Sequence, residues 1–387
     1  MSRRAAAEQR REAIISRDFV LVWLSSLTFF GSFYLLLPTL PIYVLRIGGN
    51  ESEIGLIIGV FTIAAVGSRP FIGREVDARG KKLFLVAGAV IFTISSGLYN
   101  LTNTVPLLLL LRIFHGAGIA LFLTASSALI ADLAPMERRG EAMGYFGTSS
   151  NVAMALGPAL GIALLQRSDF PTLFLVSAAV ALTAVGLTGL ISPAEGTAGR
   201  TKAVPSALIS RRAVYPSALG FCLSFTYGAV VSFLPLYATR QGVSNPGLFF
   251  TIYALALIGV RLVAGRISDR YGRAAVLAPG FVCVAVAMAV LIGARSLEVL
   301  GVAAVLYGVG FGSVQPASLA LIADRVEPGQ RGAAMATFGG AFDLGIGLGS
   351  ILLGVLLQMA GFEALFLAAA ASALIGLGLL LARGRAG

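Results

Sequence analysis

Long apolar runs alternate with short polar breaks along the whole chain. A helix needs about 20 apolar residues to cross a bilayer, and the runs reach that length one after another, with Gly, Pro, Asn and Arg in the breaks. The pattern predicts twelve transmembrane helices, at 19–45, 54–72, 83–101, 106–131, 142–165, 171–192, 214–238, 247–266, 274–294, 299–323, 333–358 and 363–383. The expected fold is all-α: a polytopic membrane protein with twelve spans.

Those spans fall into two similar halves. Gly73-Arg-Glu-Val-Asp77-Ala-Arg79-Gly80-Lys81-Lys82 follows the second span and Gly265-Arg-Ile-Ser-Asp269-Arg270-Tyr-Gly272-Arg273 follows the eighth, an offset of 192 in a chain of 387 residues. At the same offset Arg69 pairs with Arg261, Gly116 with Gly308, Asp132 with Asp324, Arg139-Gly140 with Arg331-Gly332, Phe146-Gly147 with Phe338-Gly339 and Gly157 with Gly349. A register held so far is an internal repeat. Six spans per half return the chain to its starting side, so both halves enter the membrane in the same direction. Such a parallel repeat predicts two pseudo-symmetric six-helix bundles about an axis along the membrane normal, with a cavity between them near the midplane.

Composition agrees with the spans: hydrophobic residues make up 57% and charged residues only 12% of the chain, with a mean hydropathy of +0.89. The net charge of +11 would suggest nucleic acid in a water-soluble protein, but 24 of the 29 lysines and arginines fall on one side of the predicted membrane. Only Arg46, Arg167, Arg240 and Arg295 fall on the other, and Arg112 lies inside a span. The positive-inside rule then places both termini in the cytoplasm of a cell inner (plasma) membrane and leaves no support for nucleic-acid binding. The first apolar run exceeds a signal-peptide core and is expected to be retained. Cys222 and Cys283 are isolated in apolar segments and read as small hydrophobes rather than metal ligands or a disulfide.

The longest polar connection runs from Pro193 through Pro205 to Arg211-Arg212. The expected organisation is a cytoplasmic segment at 1–17, an N-terminal bundle at 18–192, a linker at 193–213 and a C-terminal bundle at 214–387. Every other connection is too short to fold by itself, so the functional site is expected between helices and no enzymatic module or cofactor is predicted. The loop at Gly73–Lys82 lacks phosphate-loop spacing, and Lys82 stands where Ser or Thr would meet magnesium, so ATP-driven work is not expected.

The duplicated Gly-x-x-x-Asp-x-x-Gly-Arg/Lys loop, with the span count and linker, resembles the major facilitator superfamily over essentially the whole chain, and most nearly its twelve-helix drug/proton antiporters. The resemblance implies a secondary transporter working by alternating access. It also implies that Asp77 with Arg74 and Arg79, and Asp269 with Arg266, Arg270 and Arg273, latch the cytoplasmic side of the two halves. Charge-assisted bonds of this kind can be made and broken by a rocking motion.

Three places carry candidate chemistry. Span four holds Arg112 and His115 on one helical face beside Gly116 and Gly118, and an arginine inside a span costs about 2.5 to 3.5 kcal/mol on insertion scales, which marks it as functional and paired. The stretch is similar to the family's fourth-helix motif linked to proton transfer, with His115 in place of Gln; the alternative is Arg112 reaching the outer interface and His115 bonded to a carbonyl. Span five carries Gly144, Gly157, Pro158 and Gly161, a small-residue stripe for close packing. It is similar to the family's antiporter motif, from which Ala153 and Ile162 depart. Asp343 stands inside span eleven, where its repeat partner is neutral Asn151, and a carboxylate there suits a proton-coupling site. The first span has no acid between Asp18 and Glu51, which shifts attention from the exporters' usual acid to Asp343 and His115.

Phe33, Tyr34, Asn151, Phe225, Tyr227, Phe311 and Gln315 are candidates to line the cavity, and an aromatic lining suits lipophilic or cationic solutes better than sugars. The sequence therefore predicts a proton-coupled exporter of small amphipathic molecules, monomeric in the bilayer, with a small-molecule substrate and protons or another ion as partners. Uptake, or a sugar or metabolite porter on the same fold, is the alternative, and a membrane enzyme or receptor is disfavoured by the lack of a catalytic cluster.

Overall fold

The computed structural model describes residues 15–135, 138–192, 210–326 and 331–384, and most of the predicted linker and the N-terminal segment lie outside them. All regular elements among these residues are helical. In chain order they are α1 Arg17–Leu36, α2 Leu40–Arg46, α3 Glu51–Arg79, α4 Lys81–Leu98, α5 Val105–Leu133, α6 Arg139–Arg167, α7 Phe170–Gly189, α8 Val214–Arg240, α9 Leu248–Tyr271, α10 Ala274–Ile292, α11 Leu297–Arg325 and α12 Arg331–Gly384. Short 3-10 turns at Tyr99–Leu101 and Arg211–Ala213 follow α4 and precede α8.

These elements account for the twelve predicted spans with two differences. Span one is broken at Leu37-Pro38-Thr39 into α1 and α2, where Pro38 disfavours helical geometry in the residue before it. Spans eleven and twelve run together as α12, interrupted at Gly361, whose φ of 81° only glycine adopts without strain. Among the described residues, eleven helical stretches are thus long and apolar enough to cross a membrane, the last, of 51 residues, being long enough for two spans.

Both repeated loops are shorter than the sequence suggests. Helix α3 continues to Arg79 and α9 to Tyr271, so most of each charged motif forms the final turns of a helix. The chain reverses at Gly80 (φ 95°) and Gly272 (φ 87°), each of which starts the turn into the next helix. Gly73 and Gly265, one helical segment earlier, are not turn glycines.

The helices gather into two densely packed units. One contains the chain up to Leu36, Ala64–Gly157 and the region from Leu164 through α7; the other contains Leu37–Ile63, Pro158–Ala163 and everything from α8 onward. In the first, Ser32 of α1 bonds Ser177 of α7 at 2.8 Å and meets Ser96 of α4 at 3.5 Å, all three buried. In the second, Ser232 of α8 donates to Ser350 of α12 at 2.9 Å. Small hydroxyl side chains of this kind hold spans together where lipid offers no hydrophobic gain from association.

Close approach depends on glycine at corresponding places. A methyl group on Gly157 would come within 2.5 Å of the Tyr34 Cβ, and one on Gly349 within 2.5 Å of the Phe225 carbonyl oxygen. Gly157 and Gly349 are repeat partners, so each half uses the same small residue of its fifth span to seat its first. Gly144 has open space around it, Gly161 is buried, and Pro158 lies inside the unbroken α6.

Candidate transport site

The strongest polar cluster in the first unit is a buried group of three. Arg112 and His115 lie on α5, with 1% and 0% of their surfaces exposed, and Tyr99 enters from the 3-10 turn after α4, also at 0%. The Tyr99 hydroxyl lies 2.8 Å from His115 Nδ1 and accepts a bond from Arg112 Nη1 at 3.2 Å. The rings of Phe92 and Phe174 pack at 3.9 Å from the His115 centroid and 5.3 Å from that of Tyr99. Arg112 is therefore not at an interface but in an aromatic interior, held by a phenol. Tyr99 was not singled out by the sequence because it sits near the end of the predicted span 83–101, and the 3-10 turn brings it beside α5.

The repeat shows what is specific to this cluster. At the offset of 192, Arg112 corresponds to Ala304 and His115 to Tyr307. Tyr307 is buried and bonds Thr226 at 2.9 Å, a neutral pair. At these paired positions the first half carries an arginine and a histidine where the second carries neutral alanine and tyrosine.

In the second unit Tyr227, Tyr253, Tyr307 and Phe311 form a ring cluster with centroid separations of 5.4 to 6.3 Å. It extends through Phe311 to Phe342 at 5.9 Å. Phe311, expected on the lining, is only 5% exposed and sits inside this cluster, whereas Tyr227 and Phe225 keep partial exposure. Asp343 follows Phe342 and is half-buried, one turn before Gly347, whose bare face meets Gly59, Thr62 and Ile63. Phe33, Tyr34 and Asn151 are half-buried in the first unit, where the Phe33 and Tyr34 rings lie 5.2 Å apart.

Gln315 leads to a residue that sequence reasoning noticed only as part of the repeat. Its Oε1 accepts a 2.8 Å bond from Arg261 Nη2 across α9 and α11. Both line a cavity of about 520 Å³ with Ser268, Asp269, Arg273 and Ser313. A guanidinium thus stands beside one of the candidate substrate residues.

The repeated loops bond within their own halves. Lys81 pairs with Asp132 at the end of α5, and Lys82 donates to the carbonyls of Gly189 and Ile191 at 2.9 and 2.5 Å where α7 ends. Arg273 bonds Asp324 of α11 at 2.8 Å, Asp269 at 2.6 Å and Ser268 at 2.9 Å. The Asp324 carboxylate, then that of Asp269, raise the Arg273 pKa above its ordinary value and keep it charged. Arg79 pairs with Glu75 at 2.7 Å, one turn back on α3. Arg270 lies over Tyr271 at 5.3 Å, and Arg266 is exposed. The side chains of Arg74 and Asp77 lie outside the described residues. Among the described residues, no three His, Cys, Asp or Glu side chains gather where a metal ion could be held.

The model of the Major Facilitator Superfamily matches residues 22–249 and 243–386. The chain belongs to that family: it is a multi-pass membrane transporter and not an enzyme. It is 29% identical over 355 residues to the MFS-type transporter YhhS of Escherichia coli K12, covering 88% of this chain and 86% of that one. It is 26% identical over 324 residues to a multi-drug resistance efflux pump, the PmrA homolog of Lactococcus lactis, covering 79% and 80%. Its fold matches the crystal structure of the nucleoside transporter NupG (D323A mutant) with a TM-score of 0.77 at 16% identity, over 95% of this chain and 99% of that one.

Proposed function

We propose that this transporter exports small amphipathic or lipophilic molecules in exchange for protons, by alternating access of its two six-helix halves. The observation that carries the reading is the buried Arg112, Tyr99 and His115 group. Ionisable side chains inside a span are costly, and where they persist they commonly mark an ion or proton path. Export is favoured by the relative named as a multi-drug efflux pump. In this reading Asp343 and His115 carry protons, Arg112 biases them, and Phe33, Tyr34, Asn151, Phe225, Tyr227 and Gln315 contact substrate, with Phe311 backing them. The chain sits in a bacterial inner membrane as a monomer, with both termini cytoplasmic, as its charge distribution favours. The boundaries 18–192 and 214–387 delimit the moving halves, and the loop cations Arg74, Arg79, Arg266, Arg270 and Arg273 with Asp77 and Asp269 stiffen their cytoplasmic ends.

One observation favours a second reading. Arg261 and Gln315, side by side on a cavity wall, would suit a polar or acidic metabolite better than a cation. Purified protein reconstituted into vesicles with an imposed pH gradient tests both: efflux-type exchange of a lipophilic dye against protons supports export, and co-movement of solute with protons overturns it.

A further inference from the structure

In the second unit two arginines stack on one tyrosine and two more line the same hollow, away from the cavity beside Arg261. Arg211 and Arg212 form the 3-10 turn before α8, Arg325 ends α11, and Arg383 lies in the last turn of α12. The Cζ atoms of Arg325 and Arg383 stand 4.8 and 4.4 Å from the Tyr215 ring centroid. These residues, with apolar Val214 and Ala218, line a hollow of about 510 Å³.

Part of this arrangement has a simple cause. Cations at the carboxyl ends of α11 and α12 complement the helix dipoles. The same argument runs against Arg211 and Arg212, which precede the amino end of α8, where cations are disfavoured. Asp324, next to Arg325 in the chain, is held by Arg273 through both of its oxygens. Bringing four guanidiniums together raises their mutual repulsion, and a bound anion relieves it. Guanidinium forks match phosphate oxygens in pairs, and the Tyr215 ring beneath two of them fixes their planes.

We propose that this hollow binds the phosphate-bearing headgroup of an anionic phospholipid. The hollow lies where α8 begins and α11 and α12 end, which places it at headgroup depth for helices that span a bilayer, and its wall includes the exposed, apolar Val214. Basic pockets between spans on the positively charged side suit anionic lipids of that leaflet. The inference stands apart from any choice of substrate.

The test uses full-length protein in bilayers of phosphatidylcholine with and without phosphatidylglycerol, reading bound lipid by native mass spectrometry and stability by thermal unfolding. The wild type is expected to retain phosphatidylglycerol and to gain melting temperature from it. The double variant R325Q/R383Q should bind it about thirty-fold more weakly and lose the gain in melting temperature that phosphatidylglycerol gives the wild type over phosphatidylcholine alone. If that variant unfolds, R211Q/R212Q, altered in a turn outside the spans, carries the same expectation. Arg240→Gln, at the other end of α8, should leave phosphatidylglycerol retention unchanged. Undiminished lipid retention in both double variants overturns the site. Competition by glycerol 3-phosphate at concentrations comparable to the lipid overturns the lipid assignment in favour of a free phosphate ester.

Discussion

Lys81 bonds Asp132, and at the same distance along the repeat Arg273 bonds Asp324. In each half the first basic residue after the turn glycine is tied to the end of the fourth span, so the repeated loop is anchored inside its own bundle. Asp324→Asn should lower the melting temperature modestly, by the equivalent of about 1 kcal/mol for a half-exposed pair, while reducing transport. Reversing the pair, R273D with D324R, should recover most of both. Failure of the reversed pair to recover transport would assign the loss to the second carboxylate that Arg273 bonds, Asp269, which the reversed pair leaves facing a like charge.

Tyr99 joins Arg112 to His115, and its hydroxyl is the separable part of the cluster. Tyr99→Phe retains the ring that packs on Phe174 and removes the bridge, at a cost of about 1–3 kcal/mol for the buried groups left behind. Gradient-driven flux should shift in its pH dependence, not merely in amplitude. A variant with lower flux and an unaltered pH profile would make the cluster a packing element.

Asp343→Asn should abolish gradient-driven transport while leaving solute binding measurable by thermal shift. Gly340 and Gly347 lie on the same helical face, and the substitution preserves volume, so folding is expected to survive it. Persistence of pH-dependent flux would give Asp343 a structural role.

Gly349→Ala would force a methyl group against the Phe225 backbone, which cannot rotate away. Overpacking of this kind typically costs 1–3 kcal/mol, read as a lower melting temperature. Gly144→Ala, in open space, should leave melting unchanged or raised, since alanine is the better helix former by roughly 1 kcal/mol.

The spans, the repeat and the buried position of Arg112 were legible in the sequence because each is a one-dimensional signal: run length, register, or a charge within an apolar run. What the sequence withheld depended on geometry between elements. Tyr99 lies at the edge of its span and reaches His115 only through a turn, and Gln315 gives no sign of pairing with a residue 54 positions away. The charged motif looked like a loop because polarity was read as coil, yet α3 and α9 carry their helical hydrogen bonding into the polar region, where nothing prevents it until the glycine. Phe311 illustrates the limit for aromatics: its residue type cannot say whether it faces solute or other rings.

Gly55 packs so tightly on Ser350 that no side chain could stand between the two helices, and Gly59 and Gly354 extend the seam. Nearby, Arg240 bonds Glu51 at 2.8 Å and Ser52 bonds Gln358. A joint made of bare backbone exposes little apolar surface when it parts, so the seam can be firm in position and inexpensive to open. Its polar neighbours, already close to water, would exchange one another for solvent with little loss. Glycine thus lets two helix backbones meet directly, and a seam of this kind resists lateral slippage through shape alone.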